Sequence, residues 1–361
     1  MLNHTSRPVK VDVLRTFMED LLKAESVGFD EEGAKIIADI HLESDLRGVS
    51  VQGFNHLVFT HLQKYYEEKK ADPRARPTVA KEGPSFALID GNSGPGPFAA
   101  LMACDKAAEL AKKSGIGVVG INNSHDLFQA GIYAERIARN DLVALVFSDD
   151  VVPVVHPLGG TEPIIGSNPL AWAAPTGGDP FLIDFTPCVT LPTYVRYSQM
   201  YGEKMDSSLV TDKDGNPTDN PHDVCTGIGH SLDIGAINPG GNKGYGMLMM
   251  IDFLSGALVG ANMGMDHINK KPSNKGHLMI AISPDAFGDA ATFKAAVDER
   301  IAAVKNSKKA VGYDEIRMPG EGSFARRRKA LEANEVQIDT MCWDHSIKLA
   351  RELGVEPPVI D

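Results

Sequence analysis

Apolar residues recur at three- and four-residue spacing over residues 11–25, where Val13, Leu14, Phe17, Met18, Leu21 and Leu22 mark one face of a helix. Gly28 follows as the left-handed stop. Asp30 reads as the N-cap of a second helix, with Glu31 and Glu32 in a first turn where acidic groups complement the helix dipole. Ala34, Ile37, Ala38 and His41 give that helix its buried stripe. The spacing predicts a third helix over 54–70, so the first 70 residues form a small helical unit, and the polar, Pro-containing stretch 70–83 reads as a linker. Beyond it the period shortens. A strand is expected at 86–90, a helix opened by Pro97 through 113, a buried strand at 116–121 after the stop at Gly115, a helix at 131–140 and a strand at 142–147. Over 150–240 Pro and Gly punctuate short apolar runs (164–165, 170–174, 181–185), the texture of sheet and loops and not of alternating strand and helix. A long apolar helix at 243–259, a strand at 276–282 and helices at 289–305, 325–333 and 344–353 complete the chain.

Composition narrows the function classes. A chain of 361 residues suggests about two domains. With 36 Lys+Arg against 48 Asp+Glu the formal charge is −12, which argues against nucleic acid or an anionic membrane as the main partner. The one basic run, Arg326-Arg327-Arg328-Lys329, lies near Glu321 and Glu332 and reads as a solvated helix face. Residues 1–8 lack the apolar core of a signal peptide, and no window of 18 apolar residues is free of charge. The expectation is a soluble, cytoplasmic protein. Four cysteines show neither a C-x-x-C pair nor zinc spacing, which fits a reducing compartment and no metal site.

Several segments place chemistry-bearing residues together. Gly240-Gly241-Asn242-Lys243-Gly244-Tyr245-Gly246 enters a helix; its backbone N–H groups and Lys243 suit a phosphate, or the lysine is simply solvated. Asn122-Asn123-Ser124-His125-Asp126 follows a buried strand, where a sheet holds side chains rigidly, and His125 is the natural proton carrier unless this is an ordinary surface turn. Asp45-Leu46-Arg47-Gly48 closes the second helix, with Asp45 and Arg47 spaced for a local ion pair. Gly166-Ser167-Asn168-Pro169 is a turn rich in donors and acceptors. Cys188, after Pro187, is a reactive thiol or a small buried group. No G-x-G-x-x-G, P-loop, H-E-x-x-H or G-x-S-x-G is present.

In this order the segments resemble one family. Asp45-x-Arg47-Gly48-Val49, the strand 115–121 with its polar turn, Pro157-x-Gly159-Gly160-x-Glu162, Gly166-Ser167-Asn168-Pro169-Leu170 and Asp212-x-x-Gly215-x-Pro217-Thr218 are matched in it. Gly241-x-Lys243-Gly244-Tyr245-Gly246, Gly276-His277-Leu278 and Pro319-Gly320-Glu321 complete the set. The chain is similar, over roughly residues 10–355, to the malate/L-lactate dehydrogenase family, which includes ureidoglycolate, sulfolactate and diketogulonate enzymes and cyclic-imine carboxylate reductases. The resemblance implies a non-Rossmann α/β fold. A helical domain is built from both chain ends (1–125 with 305–361), and a central mixed-sheet domain (126–304) binds NAD or NADP. It also implies a homodimer acting on a small-molecule substrate at a cleft near the subunit interface. Cofactor contacts would come from Asp184, Phe185, Thr186 and Cys188, from Lys243 with Gly244, from Pro319, Gly320 and Glu321, and from Ser167 and Asn168.

Departures from the family pattern fall on the chemistry. Where the family has Ser-His-Gly and then an Arg, this chain has Val51-Gln52-Gly53 and then His56; the family's His donates a proton and its Arg holds the substrate carboxylate. The family's His-x-Gly in the polar turn becomes Asp126-Leu127-Phe128, with His125 one position earlier. Past Asp184, Thr186-Pro187-Cys188 and Tyr194 stand where the family has a small-residue loop and a Lys. The expected function is an NAD(P)-dependent oxidoreductase of a small 2-oxo or 2-hydroxy acid, or of a cyclic imino acid. His125 or Asp126 would handle the proton and Gln52 would orient the carbonyl, with Arg47 and His56 beside them. The alternative is a member diverted to lyase, hydratase or hydrolase chemistry with Asp126 and His125 as acid and base.

Overall fold

The computed structural model describes residues 5–62, 69–150, 152–224, 241–269 and 274–359. Its strands are β1 (Ser6–Lys10), β2 (Thr78–Glu82), β3 (Phe86–Asp90), β4 (Ile116–Ser124), β5 (Val143–Ser148), β6 (Leu170–Ala174), β7 (Phe181–Phe185), β8 (Lys275–Ile282) and β9 (Glu335–Asp339). Its helices are α1 (Val11–Lys23), α2 (Glu31–Leu46), a short α3 (Phe54–His56), α4 (Gly96–Ser114), α5 (Ala130–Ala138), α6 (Pro192–Tyr201), α7 (Gly241–Ser255), α8 (Asp266–Asn269), α9 (Ala290–Lys305), α10 (Glu321–Ala333) and α11 (Thr340–Glu352).

One body is helical and made from both ends of the chain. The stripe Leu14, Phe17, Met18, Leu21 and Leu22 on α1 packs against Ala34, Ile37 and Ala38 of α2 and against Trp343 of α11, all buried. Asp30 caps α2 by accepting from Gly33 N at 2.8 Å. The ends are joined by a two-stranded antiparallel sheet in which Val9 of β1 faces Val336 of β9. Neither strand has a sequence signal strong enough to be expected. The third helix departs from its 54–70 prediction: α3 passes at Leu57 into a π-helical turn, Leu57–His61, and residues 63–68 lie outside the described part.

The second body is a seven-stranded mixed sheet in the order β2-β3-β4-β8-β5-β6-β7. Among these strands only β3 and β4 pair in parallel, so this is not a doubly wound nucleotide fold. Helix α4 covers it with a face of Ala99, Ala100, Ala103, Cys104, Ala107 and Ala111, all buried. Those small residues let the helix lie close to β4, where a Cβ on Gly117 would collide with the Ala107 carbonyl. β2 falls within the stretch expected to be a linker, because Thr78 and Val79 pair with Asp90 and Ile89 at the sheet edge. The sheet also takes β2, β3 and β4 from the expected helical domain, so the boundary anticipated at 125/126 runs through the sheet, between its neighbouring strands β4 and β8. α6, capped at its C-terminus by Gly202 at φ +64°, was likewise missed in a region read as sheet and loops.

Candidate active site

The polar turn after β4 is pinned by β8. His277 Nε2 donates to the backbone carbonyl of His125 at 3.0 Å, and its Nδ1 lies 2.9 Å from Ser148 Oγ. Burial pushes the His277 imidazole down to about 3, so it is a neutral support. This arrangement buries the His125 side chain, at 3% exposure, and leaves the next residue partly open. The Asp126 carboxylate lies 3.1 Å from Lys275 Nζ and accepts from Phe128 N at 3.2 Å. Burial alone would lower the Lys275 ammonium, but Asp126, with Asp150 and Asp149, raises it above its ordinary value.

Phe128 turns the chain back with φ +67°, at the position where the resemblance puts glycine. Its ring is buried among three imidazoles, with centroids 4.3 Å from His41, 4.5 Å from His61 and 5.3 Å from His56. His41 is pushed down to about 3, by burial first and by His56 next. Neutral at physiological pH, its Nδ1 donates to the Gln52 carbonyl at 2.8 Å, leaving Nε2 as acceptor 3.2 Å from His61 Nδ1. The histidines thus fix the loop that bears Gln52 against the loop that bears Phe128.

Those loops form one side of a cleft of about 290 Å³, whose far side is the end of β7 and the start of α10. Gln52, Ser167, Asp184, Phe185, Thr186 and Gly320 all line it, as do Gln129, Ser323 and Arg326. Asp184 accepts from Gln129 Nε2 at 3.0 Å; burial raises its carboxyl, opposed by that bond, by the Gly131 N–H and by the charge of Arg47. Thr186 Oγ1 donates to the Ser167 carbonyl and lies 2.9 Å from Cys188 Sγ. Ser167 Oγ donates to Asp150 at 2.5 Å. Asn168, fully buried with φ +39°, donates to the Leu248 carbonyl at 3.2 Å and so ties this turn to α7.

Other expected site residues sit elsewhere. Arg47 is 2% exposed, and its guanidinium pairs with Glu43 at 2.6 Å and with Glu135, linking α2 to α5. Asp45 does not pair with Arg47; it accepts from Phe54 N at 2.8 Å. Its carboxyl is pushed up to about 8 by burial, against the pull of that bond. Lys243, exposed, and Gly244 lie in the first turn of α7 and are not among the described walls of the cleft. Burial pushes the Cys188 thiol up to about 12, so it is an inert packing group. Pro319 and Glu321 line a second, larger depression of about 650 Å³ beyond Gly320, where Glu321 pairs with Lys305 at 2.5 Å. Sequence reasoning missed Gln129 and Lys275, which flank recognised motifs. Arg326, in the basic run read as a solvated helix face, is indeed exposed on α10 but also lines the cleft.

The comparisons agree with this architecture. The family model for malate/L-lactate dehydrogenase matches residues 9–345. Malate dehydrogenase of Pyrococcus abyssi is 33% identical over 337 residues, 91% of each chain. L-sulfolactate dehydrogenase of Methanocaldococcus jannaschii is 31% identical, covering 96% of this chain and 94% of its own. The crystal structure of malate dehydrogenase from Entamoeba histolytica superposes with a TM-score of 0.90 at 25% identity, over 98% of this chain and all of that one. A helical body closed by both chain ends, a mixed sheet without a dinucleotide-binding glycine fingerprint, and a match along nearly the whole length place this chain in the malate/L-lactate dehydrogenase family.

Proposed function

We propose that the chain is an NAD(P)-dependent dehydrogenase of a small 2-hydroxy acid. The observation that supports this best is the gathering of Gln52, Ser167, Asp184, Thr186 and Gly320, separated by up to 268 positions in sequence (320 − 52), around one cleft. The names of the relatives, malate and L-sulfolactate dehydrogenases, set the substrate class.

The walls suit a nicotinamide dinucleotide. Gly320 has φ +88°, and a Cβ there would stand 3.0 Å from Leu182 Cβ and 3.1 Å from its carbonyl, so bare backbone faces the cleft. Gln52 Oε1 is buried in the wall without a hydrogen-bond partner, a defect of about 1–3 kcal/mol that a ligand N–H or O–H would relieve. Ser167, Asp184, Thr186 and Gly320 would hold the cofactor, which when bound accepts or returns a hydride at its nicotinamide ring. The chain's own part is to orient and to move a proton. Gln52 positions the substrate oxygen, and Asp126, paired with Lys275 on the turn that leads to the cleft wall at Phe128, takes the proton released on oxidation.

Two copies of the chain assemble, by this reading. Helix α9 has no buried residue of its own, and Phe253 and Leu258 stand 54% and 64% exposed. The described cysteines are free and buried, as a cytoplasmic setting allows, and among the described residues no helix is long and apolar enough to cross a membrane. Light scattering after size exclusion should give twice 38.8 kDa.

Fluorescence titration with NADH and NADPH tests the central claim. At least one should saturate below millimolar concentration, and (S)-malate or (S)-sulfolactate should then be oxidised; failure to bind either cofactor at millimolar concentration overturns it. Asp126→Asn should lower kcat by about 10²–10⁴-fold with cofactor affinity unchanged.

A further inference from the structure

The three arginines of the basic run have different fates. Arg327 pairs with Glu43 at 2.6 Å and Arg328 with Asp179. Arg326 pairs with no carboxylate among the described residues, and it stands on the rim shared by the cleft and the larger depression beside it. Its Nε donates to the Arg47 carbonyl at 2.7 Å. The side chain crosses Gly48, where a Cβ would lie 2.7 Å from that nitrogen, and Nη1 comes to rest beside Gly322. One bond therefore orients the guanidinium while its terminal nitrogens keep their charge for a ligand.

Gln129 shares the cleft with Arg326 and is 7% exposed. Asp184 determines which way its amide points, because a carboxylate only accepts: Nε2 must face Asp184, and Oε1 is then a buried acceptor with no partner. Gln52 Oε1 is a second such acceptor in the same wall. A cation lining the same cleft as two unsatisfied amide oxygens suits a ligand that carries both a negative charge and an O–H or N–H. Phosphate diesters meet the first demand and not the second. A 2-hydroxy acid meets both on adjacent carbons.

Resting on the dehydrogenase reading above, we propose that Arg326 and Gln129 hold the substrate: Arg326 takes its carboxylate in place of the family's arginine, and Gln129 Oε1 accepts from its hydroxyl in the bound state, before the O–H rotates away to give up its proton on oxidation. The Gly48 of the Asp45–Gly48 motif then has a function, since it opens the path by which Arg326 reaches the cleft.

Lactate and pyruvate test this without turnover when no cofactor is present. They share charge and size, but lactate has an O–H on C2 where pyruvate has a carbonyl. Calorimetric titration of the cofactor-free full-length protein should show lactate binding about tenfold more tightly than pyruvate. Gln129→Leu should abolish that preference, and Arg326→Met should weaken both ligands by tenfold or more while leaving the Kd of NADH unchanged. A wild-type protein without preference, a preference that survives Gln129→Leu, or an Arg326→Met variant that binds both ligands normally would each overturn the assignment. So would an Arg326→Met variant that loses NADH and not lactate, which would give the arginine to the cofactor's phosphates. Because Arg326 is on the surface its variant should fold whatever becomes of Gln129→Leu, and the cofactor-free titration stands even if the protein binds no dinucleotide.

Discussion

Phe128 occupies a backbone conformation that its own side chain resists. A left-handed φ costs a non-glycine residue about 1–2 kcal/mol, whereas burying a phenyl ring returns about 1.5–3 kcal/mol. At φ +67° and 4% exposure the two nearly balance, which explains how phenylalanine persists where the resemblance puts glycine. Cutting the ring away should therefore separate the terms. Phe128→Ala keeps the strain and leaves a hole among His41, His56 and His61, for a loss of about 3–5 kcal/mol in urea unfolding. Phe128→Gly leaves the same hole but relieves the strain, so it should be the more stable of the two by about 1 kcal/mol. Ordinarily Ala exceeds Gly in a loop, so the reversed order is the informative result.

Among elements, β8 joins the fold to the chemistry. It is the central strand between β4 and β5, and its first residue, Lys275, holds Asp126 while its third, His277, holds the turn at His125. Lys275→Met removes the cation paired with Asp126, so kcat should fall about tenfold or more while the Kd of NADH holds. A merely structural role for Lys275 would weaken NADH binding along with turnover. What could be read beforehand followed periodicity. The long amphipathic α1, α2 and α4 and the buried strands β3, β5 and β8 stand within a residue or two of their expected bounds, because each buries a regular face in a single core. β1 and β9 could not be, since each is stable only against the other, 327 positions away (336 − 9 for Val336 and Val9). The site divided similarly. Gln52, Asp184 and Gly320 sit in motifs, but Arg326 acts through a side-chain path over Gly48 that no local pattern encodes, and its neighbours in the run suggested only a solvated face.

For the whole molecule, the buried ionisable groups set where in pH the fold is most stable. His41 and His277, both held near 3, are neutral in the folded chain, whereas the unfolded imidazoles lose their protons around pH 6.5, so the rise in stability they contribute is nearly complete by about pH 7.5. Asp45 contributes a slope of the opposite sign. Unfolded, it loses its proton near 3.8; folded, burial keeps the proton on until about pH 8. Between those values the folded chain binds more protons than the unfolded one, so stability falls as pH rises and levels off past 8. Over the span from 6.5 to 8 the loss is about 2 kcal/mol, at 1.36 kcal/mol per pH unit. Asparagine at this position keeps an acceptor for the Phe54 N–H and has no proton to lose. Asp45→Asn should therefore flatten the thermal midpoint against pH between 6.5 and 8, and a variant with the slope of the wild type would show that the proton at Asp45 is not its source. The burial responsible comes from the packing of Gly53 against the Asp45 carboxyl, where any Cβ would collide with its oxygens. The same turn leads directly from Arg47 and Gly48 to Gln52, so the helical body accommodates a protonated acid in order to aim the loop that forms one wall of the cleft.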